Sequence, residues 1–280
     1  MGFFYAKLGA MNKTQQQAVP NIQQIIAIAS GKGGVGKSTT AVNLALALKA
    51  QGKSVGLLDA DIYGPNQPQM LGAWQQPEIN EQKCFEPVMA HGLQTMSMGY
   101  VIERSRAMVW RGPMVGKALQ QLLFQTSWQP MDYLIIDLPP GTGDVQLTLA
   151  QKVPVDAAIV VTTPQDVALL DARKAIAMFE KVEVPILGVV ENMSVYQCPQ
   201  CGHEAHVFGE SGGVHMAAQH NVELLAQLPL ALAIREQADH GQPIVIAQPD
   251  GEYATRYLGL AQKVIKLMPQ PVAPDYLFKG

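Results

Sequence analysis

A glycine-rich segment of the chain, Gly31–Ser38 (GKGGVGKS), has the residue types and the spacing of a phosphate-binding loop. Glycines let such a loop curl so that its backbone N–H groups point at phosphate oxygens, and a helix that begins at its end adds partial positive charge. Lys37 is expected to reach the β- and γ-phosphates, and the Ser38 hydroxyl is expected to ligate Mg²⁺. The predicted ATP contacts in this segment are Gly31, Lys32, Gly33, Gly34, Val35, Gly36, Lys37, Ser38 and Thr39.

Three aspartates at the ends of apolar runs supply the acidic groups that nucleotide hydrolysis needs. Asp59 and Asp61 are two positions apart on an extended segment, so their carboxylates share one face. One can help to hold magnesium through water while the other orients or deprotonates the attacking water. Asp137 ends another apolar run, where a carboxylate close to Mg²⁺ is expected. The predicted magnesium groups are therefore Ser38, Asp59 and Asp137, and a helix cap or turn former is the alternative for Asp61.

Gly141 and Asn192 also follow predicted strands. Gly141 ends the segment Leu138-Pro139-Pro140-Gly141, in which the prolines stiffen the loop and the glycine leaves its N–H free to approach a γ-phosphate. Such a loop can sense the loss of that phosphate on hydrolysis. The Asn192 amide offers both a donor and an acceptor, which suits the edge of adenine, and an ordinary turn asparagine is the alternative.

Cys198 and Cys201 form a C-x-x-C turn, CPQCG, in which two thiolates can converge on one metal or cluster. Because the turn has only two such ligands, a four-ligand site needs either the nearby His203 and His206, which we interpret as surface residues, or a second chain. Structural zinc, a thiol–disulfide redox pair and an inert turn remain alternatives, since zinc also accepts four thiolates. Cys84 has no partner nearby in the sequence and is interpreted as an ordinary small apolar residue.

The elements that must position these residues are apolar runs alternating with helical stretches, which predict βαβ units. The predicted strands are Gln24–Ser30, Ser54–Asp59, Tyr133–Leu138, Ala157–Thr162, Ile186–Val190 and Glu223–Leu228. The predicted helices are Lys37–Ala50, Met114–Thr126, Asp166–Phe179, Gly213–His220 and Tyr253–Met268. The motifs all fall at or just after the carboxyl ends of strands, where such folds bind ligands. We predict an α/β P-loop NTPase fold, with a mostly parallel, twisted sheet of about seven or eight strands and helices on both faces.

A single P-loop domain is predicted over residues 23–280, after a flexible leader of residues 1–22. Two segments interrupt the alternation of strands and helices. Residues 64–112 are rich in Pro, Gly, Gln and Met, and a short hairpin is expected within them near Pro87–Ser97. Residues 196–213 are a polar insertion that contains the two neighbouring cysteines.

Composition narrows the class of protein. Hydrophobic residues make up 48% of the 280 residues and charged residues 15%, which is typical of a well-buried globular protein. The formal net charge of −3 gives no electrostatic attraction to nucleic acid or anionic lipid, so neither is an expected partner. No apolar run reaches the roughly 18–20 residues of a membrane span. Three cysteines do not make a disulfide framework, which indicates the reducing cytoplasm.

The loop KGGVGKST resembles the deviant Walker A loop of the nitrogenase iron protein, MinD and ParA group of ATPases. Over nearly the whole chain the sequence is similar to the Mrp/ApbC group of iron–sulfur cluster carriers. The segments YGPN, PPGTGD and ENM, together with the C-x-x-C turn, distinguish that group from its cell-division and plasmid-partition relatives. The resemblance implies a nucleotide-sandwich homodimer in which Lys32 crosses to the partner's nucleotide, with a solvated lysine as the alternative. It assigns the water-positioning role to Asp61 and the reading of adenine to Asn192.

The same resemblance implies that Cys198 and Cys201 of two subunits hold one [4Fe–4S] cluster, which is passed to apo-proteins. Slow ATP hydrolysis would be coupled to loading or release, and cluster-assembly scaffold proteins would be further partners. The catalytic residues implied are Lys32, Lys37, Asp61 and Asp137. Many relatives carry an accessory domain before the ATPase core, which is not expected in this chain because the first predicted strand begins at Gln24. Two functions compete with this one: a positioning ATPase that binds membrane or DNA, and an ATPase whose dimer is bridged by structural zinc.

Overall fold

Runs of Ile, Val, Leu and Ala form the centre of the sheet, because a strand that is covered on both faces carries no polar alternation. The computed structural model describes residues 17–101 and 112–269. In this part of the chain the strands are β1 (Ile22–Ala29), β2 (Val55–Asp59), β3 (Val88–Ala90), β4 (Leu93–Ser97), β5 (Met131–Asp137), β6 (Ala157–Thr162), β7 (Ile186–Glu191), β8 (Tyr196–Gln197), β9 (Glu204–Ala205) and β10 (Glu223–Gln227).

Helices connect most of these strands. In the described residues they are α1 (Lys37–Ala50), α2 (Gln67–Met70), α3 (Met98–Val101), α4 (Gly112–Phe124), α5 (Asp144–Lys152), α6 (Asp166–Lys181), α7 (Gly212–Gln219), α8 (Leu232–Asp239), α9 (Ile244–Ala247) and α10 (Glu252–Leu267). Every one of them is too short or too polar to cross a lipid bilayer, within the same described ranges.

The main sheet has eight strands in the order β10-β7-β6-β1-β5-β2-β4-β3, and only β3 runs antiparallel to its neighbour. The strands β2 to β4, which follow β1 in the chain, lie on one side of β1 in the sheet, and β6, β7 and β10 lie on the other side. Because parallel crossovers are right-handed, α1 lies on one face of the sheet and α4 to α7 lie on the opposite face. The predicted fold class, a mostly parallel sheet of about eight strands with helices on both faces, is confirmed.

Most predicted elements are present with small shifts at their ends, and β6 and α1 begin and end where the sequence indicated. The hairpin predicted near Pro87–Ser97 is formed by β3 and β4. Its second strand also pairs in parallel with β2, which the sequence did not indicate. The sequence did not predict the short helices α2 and α3, or the helices α8 and α9 between β10 and α10.

The structure describes part of the predicted leader and all of the predicted polar insertion. Of the predicted leader, residues 1–16 lie outside the described residues, whereas Val19 is buried and the Asn21 side chain donates a hydrogen bond to the Trp128 carbonyl at 2.9 Å. The extent of the leader therefore stays a prediction. The polar insertion at residues 196–213 contains a two-stranded antiparallel ribbon, β8 paired with β9.

The close approach of β10 to β7 requires glycine at position 188. A Cβ atom at Gly188 would lie 2.6 Å from Leu225 Cγ and would also meet the Glu223 carbonyl. We therefore expect Gly188→Ala to lower the free energy of unfolding by about 1–3 kcal/mol, measured by denaturant titration. Gly259→Ala is the matched control, since nothing lies near its Cβ position within α10. That control should raise stability by roughly 0.5–1 kcal/mol, and equal effects of the two substitutions would contradict the packing argument.

Candidate functional site: a phosphate loop and three buried carboxylates

The phosphate loop has the backbone conformation that its glycines permit. Gly34 and Gly36 have φ angles of +82° and +84°, in the left-handed region that other residues avoid. At Gly31 the loop passes so close to the backbone of α6 that any side chain would collide with Asp171. The following helix, α1, begins at Lys37. The loop therefore presents backbone N–H groups and a helix N-terminus together, as an anion site requires.

Lys37 and Asp137 form a buried ion pair beneath this loop. The Lys37 Nζ atom lies 2.5 Å from Asp137 Oδ1 and 3.2 Å from Ser38 Oγ. The two partners are only 6% and 0% exposed, so water screens the pair little. The structure thus brings together the lysine predicted to bind phosphate and two of the groups predicted to hold Mg²⁺.

The sheet register places the second buried carboxylate beside the first. Asp59 and Asp137 are direct partners across the β2–β5 pair. Asp59 accepts hydrogen bonds from the backbone N–H groups of Asp61 and Gln67, at 3.1 and 3.2 Å, and from Ser97 Oγ at 3.0 Å. Burial raises the pKa of Asp59 to about 8, with a further contribution from the neighbouring Asp137.

Asp61 is the most accessible of the three aspartates, at 9% exposure. Burial raises its pKa, while the positive charge of Lys37 opposes this rise. A carboxylate with a raised pKa has the greater tendency to accept a proton, as a water-activating group must. The position of Asp61 is compatible with its predicted role, which stays a prediction.

The donor set of this cluster suits magnesium. Ser38 contributes a hydroxyl oxygen, and Asp59 and Asp137 contribute carboxylate oxygens, which are the hard ligands that Mg²⁺ prefers. Ionisation of all three aspartates beside one lysine would leave an excess of negative charge in a dry environment, which a bound cation would offset. An additional buried oxygen, Gln67 Oε1, has no hydrogen-bond partner in the described residues. The residues present therefore fit a divalent cation.

Sequence reasoning missed Gln67 and Ser97, although both contact the carboxylates. The Gln67 Nε2 atom donates to Asp137 Oδ2 at 2.9 Å and to the Ser38 carbonyl at 3.1 Å. Gln67 belongs to no recognised motif and follows a Pro- and Gly-rich turn, where glutamine usually faces solvent. Ser97 ends β4, whose pairing with β2 could not be read from the sequence.

The structure differs from expectation at Gly141. Its N–H was expected to be free for a γ-phosphate, whereas in the structure it donates to the Ser30 carbonyl at 2.9 Å. The Gln146 side chain also donates to the Pro140 carbonyl and so fixes the same loop. Contact between the Gly141 N–H and a phosphate requires the bond to Ser30 to break, and the ATP-binding role of Gly141 stays a prediction.

A cavity of about 650 Å³ separates this loop from the segment that carries Asp61. Residues from both segments line it: Asp61, Tyr63, Gly64, Pro139, Pro140, Gly143, Val145 and Gln146. Asp61, the residue predicted to position the attacking water, therefore faces an open space that can admit solvent or a phosphate group.

Asn192 lies directly beneath the phosphate loop. Its side chain is 7% exposed, and its Nδ2 atom donates to the Val35 carbonyl at 2.9 Å. A Cβ atom at Gly36 would collide with this amide. One of the amide donors is thus engaged by the loop, and the predicted reading of adenine by Asn192 stays a prediction.

Lys32 is partly exposed and, among the described residues, takes part in no ion pair. Its carbonyl accepts a hydrogen bond from Ser30 Oγ at 2.9 Å, which holds the backbone at the start of the loop. The side chain is therefore available for an anion outside its own subunit. Its action on a partner's nucleotide stays a prediction.

The cysteine turn is at the tip of the β8–β9 ribbon. The Cys198 N–H donates to the His203 carbonyl, and the Gly202 N–H donates to the Cys198 carbonyl, both at 2.9 Å. Backbone N–H groups of Cys201 and Gln200, followed by the Cys201 side chain, lower the pKa of the Cys198 thiol. This favours the thiolate, which is the form that binds metals.

The side chain of one nearby histidine, His206, is engaged outside this turn. His206 Nδ1 lies 2.8 Å from the Ser194 carbonyl, so one of its ring nitrogens is engaged in holding the loop. Among the described residues, no further His, Cys, Asp or Glu side chain joins Cys198 and Cys201 in a group of three that could hold a metal. The two thiol groups, on Cys198 and Cys201, could supply two of the four ligands of a tetrahedral site, and their metal-binding role stays a prediction.

A family profile, several curated proteins and several solved structures each match most of this chain. The ParA family profile, described as NUBPL iron-transfer P-loop NTPase, matches residues 21–265. The chain is 58% identical to an iron–sulfur cluster carrier protein of Pseudomonas fragi, over 90% of this chain and 89% of that protein. It is 56% identical to a protein of the same name from Escherichia coli K12, over 89% of this chain and 68% of that protein.

Related proteins from eukaryotes and archaea also match. The iron–sulfur cluster transfer protein NUBPL of Mus musculus is 48% identical, over 90% of this chain and 80% of that protein. A nucleotide-binding protein of Archaeoglobus fulgidus, solved in complex with ADP, matches with a TM-score of 0.73 and 33% identity, over 83% of this chain and 91% of that chain. The Pyrococcus furiosus cell division ATPase MinD matches with a TM-score of 0.65 and 25% identity, over 88% and 99% of the two chains.

The buried ion pair leads to a stability prediction. Lys37→Met leaves the Asp137 carboxylate buried without its cationic partner, so we expect the free energy of unfolding to fall by about 3–5 kcal/mol. Adding Asp137→Asn should recover most of this loss, since it removes the uncompensated charge. Urea titrations without nucleotide or metal measure both effects.

Lys174→Met is the control for that experiment. Its partner is Asp171, but Lys174 is 66% exposed, so the change should cost no more than about 1 kcal/mol. A double variant at positions 37 and 137 that is as unstable as Lys37→Met alone would contradict the ion-pair explanation.

Proposed function

Because the chain belongs to the ParA/NUBPL family of iron-transfer P-loop NTPases, we propose that it is an ATP-dependent carrier of iron–sulfur clusters that works as a homodimer. It is a P-loop ATPase by family and fold. The observation that favours cluster transport over other uses of ATP is the exposed C-x-x-C turn on the β8–β9 ribbon. In this function the cluster is cargo that the protein loads and releases.

The chemistry of the turn supports a cluster shared between two subunits. Cys201 is exposed and the Cys198 thiol has a lowered pKa, so both sulfurs are accessible and one is readily ionised. A [4Fe–4S] cluster is held by four thiolates. Since each chain supplies two sulfurs at this turn, two chains related by a two-fold axis would complete the site.

The nucleotide would bind where the phosphate loop meets the carboxylate cluster. The loop N–H groups and Lys37 would contact its phosphates, and Ser38, Asp59 and Asp137 would hold Mg²⁺, which would neutralise the phosphate charge. Asp61, facing the cavity, would orient the attacking water. Lys32 of each subunit would reach the nucleotide of its partner.

A short stretch of chain connects these two regions. Asn192 holds the phosphate loop through the Val35 carbonyl, and Cys198 follows only six positions later. Between them, the Ser194 carbonyl contacts His206, on the other side of the ribbon. A movement of the phosphate loop would therefore reach the cysteine turn through few intervening residues, which supports coupling of slow ATP hydrolysis to cluster loading or release.

The competing function of a membrane-positioning ATPase needs a free amphipathic helix near the C-terminus. The last described helix, α10, uses its apolar face inside the domain, where it packs against α1 and β10. The buried residues of this face are Ala254, Tyr257, Leu260, Ala261 and Val264. This packing favours the carrier function. We further propose that the chain works in the cytoplasm, receiving clusters from assembly scaffold proteins and delivering them to apo-proteins.

Anaerobic reconstitution with iron and sulfide tests the cluster site. We expect a broad brown absorbance with matching iron and sulfide contents, lost in Cys198→Ala and in Cys201→Ala, because each change removes half of one subunit's ligands. Cys84→Ala is the control and should keep the cluster, since Cys84 lies in a separate loop. Zinc bound without sulfide in the anaerobically purified protein would instead support a structural zinc bridge.

Mixing two inactive variants tests the dimer and the role of Lys32. Lys32→Ala and Asp61→Ala are each expected to lose ATP turnover. If Lys32 acts on the partner's nucleotide, a mixed dimer has one complete site, so an equimolar mixture should regain about a quarter of the unaltered activity. Steady-state phosphate release measures this. No recovery after subunit exchange would mean that Lys32 serves its own subunit or that the protein acts as a monomer.

A further inference from the structure

The Gln67 side chain is the most deeply buried amide next to the proposed magnesium ligands. It is 1% exposed, and it is the first residue of the short helix α2. We infer that Gln67 is a positioning residue for the magnesium ion: its Nε2 group orients the Asp137 carboxylate, and its Oε1 atom accepts a hydrogen bond from a water molecule of the ion. This inference rests on the proposed magnesium site and adds a residue to it.

The nitrogen end of the amide fixes a proposed ligand. Gln67 Nε2 donates to Asp137 Oδ2 at 2.9 Å, while Lys37 occupies the other oxygen of the same carboxylate. The second Nε2 hydrogen is directed at the Ser38 carbonyl, 3.1 Å away. Donors on both oxygens hold the plane of the Asp137 carboxylate, so that it need not reorganise when the ion binds.

These neighbours also determine which way the amide points. Asp137 Oδ2 and the Ser38 carbonyl are both acceptors, so a flipped amide would place its oxygen against two other oxygens. The NH₂ group must therefore face them. The Oε1 atom is left on the other side, buried and without a donor among the described residues.

A buried carbonyl oxygen without a partner is unusual, because folding removes its hydrogen bonds to water and no protein donor replaces them. Magnesium commonly keeps several of its waters when it binds to proteins, and each of those waters donates hydrogen bonds. Gln67 contacts Ser38, Asp59 and Asp137 through its two nitrogen atoms, so its unpartnered oxygen would be an acceptor available to such a water. The ion would thus satisfy an oxygen that the protein alone leaves unsatisfied.

The backbone of Gln67 connects this amide to the other carboxylate. Its N–H group donates to Asp59 Oδ2 at 3.2 Å, so one residue contacts both buried aspartates. Gln67 is not itself a predicted nucleotide contact, and it reaches the phosphate loop only through the Ser38 carbonyl, whereas the predicted contact of Ser38 with Mg²⁺ uses the hydroxyl. Loss of the Gln67 side chain should therefore weaken binding of the metal and leave binding of the metal-free nucleotide unchanged.

The test uses Mn²⁺ in place of Mg²⁺ and follows its binding to the full chain with ADP by electron paramagnetic resonance. Gln67→Met keeps the length of the side chain and removes both polar ends, so we expect Mn²⁺ affinity to fall about tenfold or more. ADP affinity in EDTA, measured by calorimetry, should be the same in Gln67→Met and in the unaltered protein.

Gln69→Met is the matched control. Gln69 is on the same short helix but is exposed and donates to the Asp239 carbonyl, away from the carboxylates, so both affinities should be unchanged. Unaltered Mn²⁺ affinity in Gln67→Met would overturn the inference, and so would an equal loss of ADP affinity in EDTA, which would indicate a merely structural role. Absence of Mn²⁺ binding by the unaltered protein would overturn the magnesium site itself, and the role of Gln67 with it.

Discussion

The buried ion pair between Lys37 and Asp137 is the interaction on which the rest of the site depends. It joins the first residue of α1 to the last residue of β5, and so fixes the phosphate loop against the centre of the sheet. In this environment an unpaired charge is costly, so each partner holds the other in place. In the proposed function a triphosphate and a cation would give both charges alternative partners at the same edge of the sheet.

Strand register supplies the second constraint. The parallel pairing of β2 with β5 places Asp59 next to Asp137, and the pairing of β4 with β2 brings Ser97 to the same point. Two carboxylates this close repel each other, and both the repulsion and their burial favour a proton or a cation between them. In the proposed function the affinity of this edge for a metal would therefore arise from backbone pairing, and the hydrogen bonds of Gln67 and Ser97 would adjust it.

The cysteine turn shows a different kind of organisation. It lies outside the main sheet, on a short ribbon held by backbone hydrogen bonds of its own. Cys201 is exposed and Cys198 is partly exposed, whereas Asp59 and Asp137 are buried. In the proposed function the cluster and the nucleotide would bind to different segments, which are linked by the hydrogen bond of Asn192 to the phosphate loop and the six residues from Asn192 to Cys198. That arrangement suits a protein in which one event regulates the other.

The sequence by itself determined the phosphate loop, the positions of Asp59, Asp61 and Asp137 at strand ends, and the C-x-x-C turn, because these depend on neighbours within a few residues. The same local patterns predicted most strands and helices. Only the tertiary structure decided the partners of Gln67, the bond between Gly141 and the Ser30 carbonyl, and the pairing of β4 with β2. Each of these contacts joins segments whose approach depends on how the whole sheet assembles, and local propensity carries no information about that assembly.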